Sequence, residues 1–244
     1  MSTFLQACKT LTRFLLDALF PPQCIPCGKK LPSSSQFVSA CDECIARIPI
    51  RSGFTCSMCG ARQASLHNEC HKSAIVIAAA TDYTNREAQM LIHALKYDQV
   101  QTAVQPLVEI LMWYIASREE LLAHNGFVLV PIPLHAKKMR ERGFNQAELI
   151  TKELCAQLPI KFLYCGDALT RSHNTPSQTA QKSHAERNKN MKDAFAVQNS
   201  DGIEGKIVFL VDDVSTSGAT IREAARVLKN AGARSVFGLV VAKA

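Results

Sequence analysis

Cysteine spacing gives the first chemical signal in the chain. Cys24-x2-Cys27 and Cys41-x2-Cys44 are two tight turns, each aiming a pair of thiolates at one point. Two such turns complete a tetrahedral zinc site with four thiolate ligands, and a fully ligated site is structural because no position stays open for a substrate. Gly28, directly after the first pair, suits the backbone of such a turn. Reduced core cysteines are the plain alternative. Cys56-x2-Cys59-Gly60 begins a second arrangement of the same kind, but Ser73 stands where a further cysteine would complete a pair with Cys70. Either His67 or His71 can supply a fourth ligand there. The adjacency of Cys70 and His71 crowds joint ligation, so an unmetallated relic is the rival reading.

A second cluster sits near the other end. An apolar run over 207–211 leads directly into Asp212 and Asp213, and Ser215-Thr216-Ser217-Gly218-Ala219-Thr220 then opens a helix. Backbone N–H groups over 216–220, the positive helix end and the hydroxyls form a cradle for an anion. The two carboxylates at the strand end are placed to accept ribose hydroxyls or to help hold Mg2+ through water. A capped strand–turn–helix would explain the hydroxyls but not the paired acids. No Gly-Lys-Ser/Thr follows and no GxGxxG occurs, which excludes a Walker A loop and a dinucleotide fingerprint.

The elements that must position these groups follow from periodicity. Strands are predicted over 75–80, 127–132, 206–211 and 235–242, with helices over 86–97, about 103–122, about 145–157 and 218–231. Alternation of strands and helices implies an α/β fold: a mostly parallel sheet with helices on both faces and ligands at the strands' carboxyl ends. A basic loop with Lys137, Lys138, Arg140 and Arg142 is expected between a strand and a helix, able to meet a pyrophosphate or a nucleic-acid backbone. Arg171 opens a polar loop that includes Thr175, Gln178, Arg187 and Asn190. Three units are expected: an amphipathic helix over 1–20, a zinc ribbon over 21–73 and the α/β unit over 74–244. His93, His124, His135, His173 and His184 are scattered without an acid–base partner, and Cys155 and Cys165 are expected to be structural thiols.

Composition bounds the rest. The 244 residues are 47% hydrophobic and 20% charged, which excludes global disorder. The formal charge of +7 permits contact with phosphates without demonstrating it. Lys9, Arg13 and Asp17 interrupt the apolar N-terminal stretch, so it does not fit a signal peptide. The longest uncharged run, 121–136, holds two His and two Pro and does not fit a membrane span. A cytoplasmic protein is expected, where clustered thiols hold metal before they form disulfides.

The 207–220 segment resembles the phosphoribosyl-pyrophosphate (PRPP) motif of type I phosphoribosyltransferases, with Ser217 in place of a frequent Thr. That resemblance implies ribose hydroxyls on Asp212 and Asp213, with a 5′-phosphate on Thr216, Ser217, Gly218, Ala219 and Thr220. Arg142-Gly143-Phe144-Asn145-Gln146, Thr175-Pro176-Ser177-Gln178, 94–97 and the cysteine turns together resemble the ComF family of competence proteins and the related GntX-like group. The incomplete second turn departs from the fuller pattern. Family likeness implies a role in natural transformation: handling single-stranded DNA at the inner side of the membrane beside a helicase-like partner. The alternative is an active Mg2+-dependent phosphoribosyltransferase, amidophosphoribosyltransferase-like and of unknown acceptor, with Arg171 or Lys137 on the pyrophosphate. The cover over its acceptor is then expected from residues before Ala74. A purely structural zinc adaptor ranks third, because it leaves the acidic strand end unexplained.

Overall fold

A computed structural model describes residues 21–32, 39–67, 70–71, 73–122, 126–158, 162–171 and 194–244. The helix expected over 1–20 lies outside the described residues. So do Cys8, His124, His173, His184 and the polar loop with Thr175, Gln178, Arg187 and Asn190.

The cysteine-rich part contributes a short helix, α1 (Asp42–Ala46), and a hairpin, β1 (Phe54–Cys56) with β2 (Arg62–Gln63). Chain then enters β3 (Val76–Asp82), whose Val-Ile-Ala-Ala-Ala-Thr run is buried on both faces. Helix α2 (Arg86–Tyr97) starts where the Asn85 side chain accepts the Ala88 N–H at 2.9 Å, and it buries Ala88, Leu91, Ile92 and Leu95. The single helix expected over 103–122 is instead a 3-10 turn (Gln101–Ala103), α3 (Val104–Ala116) and α4 (Glu119–Leu122). It breaks at Ser117, whose hydroxyl donates back to the Tyr114 carbonyl at 2.7 Å.

After β4 (Val128–Pro131) the expected basic loop is a two-turn helix, α5 (Ala136–Arg142). His135 caps it by accepting the Lys137 N–H at 3.1 Å, and Gly143, at a φ of 77°, ends it. Helix α6 (Gln146–Gln157), β5 (Leu163–Tyr164), β6 (Leu169–Arg171) and β7 (Phe195–Val197) follow. The chain closes with β8 (Ile207–Ser215), α7 (Ala219–Asn230) and β9 (Ser235–Lys243). Strand β8 runs to Ser215, four residues beyond the expected end, because its ladder with β9 continues through Val214↔Ala242 and Ser215↔Lys243.

These strands make a seven-stranded sheet in the order β2-β1-β3-β9-β8-β4-β5. From β3 to β5 all neighbours are parallel, while β1 joins β3 antiparallel through Thr55↔Ile77 and Cys56↔Val76. Apolar side chains of α2, α3 and α6 pack on one face of the sheet; those of α7 and the β6–β7 hairpin pack on the other. Chain leaves β4 through α6 on the first face and leaves β8 through α7 on the second. The crevice between the carboxyl ends of β4 and β8 is therefore the topological switch point, where sheets of this kind hold ligands.

Phe209 anchors the centre. It is 1% exposed, with its ring 5.0 Å from Phe127 and 5.4 Å from Phe237. Phe209→Ala is expected to destabilise the protein by about 3–5 kcal/mol in urea unfolding. A loss under about 1 kcal/mol would contradict this packing.

Candidate functional site

Four thiols converge in the first cluster. The Sγ atoms of Cys24, Cys27, Cys41 and Cys44 all lie within 4.8 Å of one another, with Cys24–Cys41 at 3.6 Å and Cys27–Cys41 at 3.8 Å. Tetrahedral zinc with Zn–S bonds of about 2.3 Å sets its sulfurs about 3.8 Å apart, whereas a disulfide needs about 2.0 Å. The donor set therefore fits zinc. Hydrogen bonding to the Lys29 backbone, then to Cys24, pulls the Cys27 thiol down to about 7, which favours the thiolate that a metal takes.

The second cluster repeats that geometry. Gly28 and Gly60 follow their Cys-x2-Cys pairs at φ of 72° and 75°, and each donates its N–H to the carbonyl of the leading cysteine, Cys24 or Cys56. Cys56, Cys59, Cys70 and His71 bring one ligand atom each within 4.8 Å of the others. Cys59 and Cys70 sulfurs are 3.6 Å apart, and Cys56 Sγ lies 3.6 Å from His71 Nδ1. Of the two histidines left open by sequence, His71 joins this cluster and exposed His67 does not. Adjacency of Cys70 and His71 is accommodated.

At the switch point, Asp212 and Asp213 are successive strand residues, so their side chains leave opposite faces of the sheet. Asp213 is 3% exposed and its Oδ1 is 2.8 Å from Lys96 Nζ, at the last turn of α2. Burial opposes the Lys96 charge, but Asp213 outweighs it and holds the ammonium above its ordinary value. Asp212 is less buried. Desolvation first, then the neighbouring Asp213 charge, push its carboxyl from the ordinary 3.8 up to about 7.

Cations ring this carboxyl. Lys138 and Arg142 of α5 are half-buried, while Lys137 and Arg140 of the same helix are exposed. Desolvation pulls Lys138 down, and the charges of Arg142, Arg171 and Lys96 add to that effect. Arg171, at the end of β6, lies 5.4 Å over the Phe195 ring; burial works against its charge and Asp212 supports it. Arg142 stands 5.4 Å over the Tyr97 ring, and Tyr97 is 57% exposed.

The 216–220 loop turns directly from β8 into α7. Gly218 takes a φ of 70° at the helix start, where the Ala219 N–H reaches Ser217 Oγ at 3.4 Å. Lys243 Nζ donates to the Thr216 carbonyl at 2.6 Å. Farther along the same sheet edge, register places Ser215, Lys243 and Asp82 side by side. There, Pro49, Ile50, Arg51, Ser52, Arg62 and Asp82 line a cleft of about 350 Å³ in which Arg51 pairs with Asp82.

Three residues of this region receive no role from sequence reasoning, although Lys96 lies in the 94–97 segment that carries the family resemblance. Lys96 reads as an ordinary lysine favoured by a helix C-terminus. Arg222 looks like one charge on an amphipathic helix, and Ser57 like a filler between ligands. Each acts through tertiary placement.

Comparison with known proteins agrees with this architecture. Residues 15–74 match the double zinc ribbon domain, and residues 145–243 match the phosphoribosyl transferase domain. The DNA utilization protein YhgH of Escherichia coli strain K12 is 29% identical over 150 residues, 60% of this chain and 63% of that protein. Competence protein F of Haemophilus influenzae is 31% identical over 127 residues, covering 50% of this chain and 54% of its own length. Competence protein ComFC of Bacillus subtilis is 27% identical over 200 residues, 79% of this chain and 78% of its own. The match to the DNA utilization proteins thus spans a little under two thirds of their length. Fold and cysteine clusters define a class: a double zinc ribbon joined to a phosphoribosyltransferase domain. Within that class, the chain is similar to proteins named competence protein and DNA utilization protein.

Metal analysis of the purified chain is expected to give two zinc per molecule. His71→Ala should lower the count to one and His67→Ala should leave it at two; the reverse pattern would overturn the ligand assignment.

Proposed function

We propose that this chain is a DNA-uptake protein that binds PRPP or a related phosphorylated ribose at the β4/β8 crevice and single-stranded DNA along the adjoining basic helix. The observation that carries the ribose reading is the placement of Asp212: a carboxylate at the switch point, beside a hydroxyl-rich turn and faced by Lys138 and Arg171. Asp212 accepts ribose hydroxyls, and the turn formed by Thr216, Ser217, Gly218, Ala219 and Thr220 holds the 5′-phosphate. Lys138, Arg142 and Arg171 meet the pyrophosphate, and Mg2+ arrives with it. Asp213, committed to Lys96, supports the site from the opposite face of the sheet.

Exposed Lys137 and Arg140, with Tyr97 under Arg142, combine positive charge and an aromatic face, the pairing that single strands require. The names of the relatives, competence proteins and DNA utilization proteins, support this reading. It places the chain in the cytoplasm at the inner side of the membrane, beside a helicase-like partner. No described helix is long and apolar enough to cross a membrane. Zinc in both ribbon clusters is structural, and the ribbon over 21–73 and the unit over 74–244 act as one body through their shared sheet.

A second reading, an Mg2+-dependent phosphoribosyltransferase, is favoured by one contact. Ser57 of the ribbon lies against Gly218 and supplies a cover over the phosphate turn. Release of pyrophosphate from PRPP on adding an acceptor would establish it. Binding without release would leave a ligand-sensing site.

Calorimetry with PRPP and Mg2+ is expected to show binding that strengthens from pH 6 to pH 8 and levels above. Asp212 must lose its proton to accept the hydroxyls, so binding should release a proton, seen as a buffer-dependent heat. Asp212→Asn should abolish both the pH trend and the proton release. In the free protein the sign is opposite: the raised folded value stabilises at low pH, and this contribution is lost as pH rises towards about 7. Equal heat in wild type and Asp212→Asn would sink the ribose assignment.

Single-stranded DNA binding should fall steeply with salt, and neutralising Lys137 and Arg140 should flatten that slope by roughly two counterions. Tyr97→Ala should cost about 1–3 kcal/mol of binding without changing the slope. Binding indifferent to salt would count against this interface.

A further inference from the structure

We infer that the second cysteine cluster sets the geometry of the 216–220 turn, so that zinc on Cys56, Cys59, Cys70 and His71 and a phosphorylated ribose on the turn strengthen one another's binding. This rests on the ribose reading above and adds its regulation. Ser57 lies between two of the cluster's cysteines. Its backbone carbonyl accepts a hydrogen bond from Arg222 Nη1, and the same nitrogen donates to the Ser217 carbonyl at 2.8 Å. One guanidinium nitrogen therefore clamps a carbonyl of the metal turn to a carbonyl of the phosphate turn.

The two turns also touch directly. A Cβ on Gly218 would stand 2.6 Å from the Ser57 carbonyl oxygen and 3.0 Å from Ser57 Cβ. Glycine is required here twice over, by the φ of 70° and by this approach. Ser57 itself is 3% exposed and has little freedom. Its N–H donates to the Ile75 carbonyl at 2.9 Å, and its hydroxyl accepts the Ile75 N–H at 2.8 Å. The Met58 N–H points at Cys56 Sγ at 3.4 Å, so this sulfur helps fix the turn that carries Ser57. Metal holding the sulfurs together thus fixes the carbonyl that Arg222 reads, and Arg222 in turn fixes Ser217. Among the described residues the first cluster shows no such link: its neighbouring Ser39 hydroxyl reaches Thr102, ahead of α3.

Linkage makes the coupling reciprocal, with factors of about 5–150 usual for linked sites. The test uses the full chain. PRPP affinity is measured by calorimetry with one and with two zinc bound, and second-site zinc affinity is measured by chelator competition with and without PRPP. Both should change by one common factor, roughly tenfold on this scale. Arg222→Met should bring that factor to one while the first zinc stays bound, and Arg222→Lys should restore part of it. Should Arg222→Met fail to fold, Gly218→Ala forces the two turns apart and should weaken PRPP and second-site zinc together. Unchanged zinc affinity in the presence of bound PRPP would overturn the coupling alone. Full coupling in Arg222→Met would also overturn it. Failure of wild type to bind PRPP would bring down the ribose reading and the coupling with it.

Discussion

A central strand that is buried on both faces and yet ends in two adjacent acids imposes the main constraint on this molecule. Desolvating two neighbouring carboxylates is costly unless each receives compensation. The pleat of β8 divides the problem by sending Asp213 to one face and Asp212 to the other. Lys96 neutralises Asp213 from the end of α2. Asp212 is pushed up to about 7 by burial and by the Asp213 charge, while Lys96 and Arg171 oppose that rise. Much of the surrounding arrangement follows. Helix α2 must end where its lysine reaches the strand end, and α5 must follow β4 closely. The acid pair is thus divided by its surroundings: Asp213 is buried against Lys96, and Asp212 is the more exposed of the two.

The zinc-binding part is built into the same framework. Strand β1 carries the first ligand of the second cluster at its end, and there Cys56 pairs with Val76 of β3. Tyr114, fully buried in α3, donates its hydroxyl to the Gly53 carbonyl at 2.7 Å, and Arg118 donates to the Arg51 carbonyl at 2.8 Å. Cys24, Cys44, Ile45 and Ile48 share one apolar cluster with α2 and α3. The cysteine turns are therefore tied to the sheet and to α2 and α3 by strand pairing, hydrogen bonds and apolar packing.

Legibility from sequence followed the range of the interactions. Elements with one apolar stripe or a continuous apolar run, such as α2 over 86–97 and the strand beginning near 206, declare themselves locally. The three Cys-x2-Cys turns do so too, because the chemistry of such a turn is contained in four residues. The basic segment after β4 was expected as a loop because its charges hide any apolar periodicity. It is a helix because His135 and Gly143 cap it, a signal of only two residues. The true length of β8 was hidden because charged residues rarely continue a buried strand, and only the β9 ladder carries it onward. Lys96, Ser57 and Arg222 could not be found locally, since each acquires its role from a partner distant in sequence.

The two outer strands of the sheet are two residues each: Arg62-Gln63 on one side and Leu163-Tyr164 on the other. So little open backbone offers scant template for strand addition. A macromolecule that meets these outer strands finds side chains before it finds a long open ladder. Specificity there is then set by surface chemistry that single substitutions can retune, leaving the backbone pairing beneath untouched.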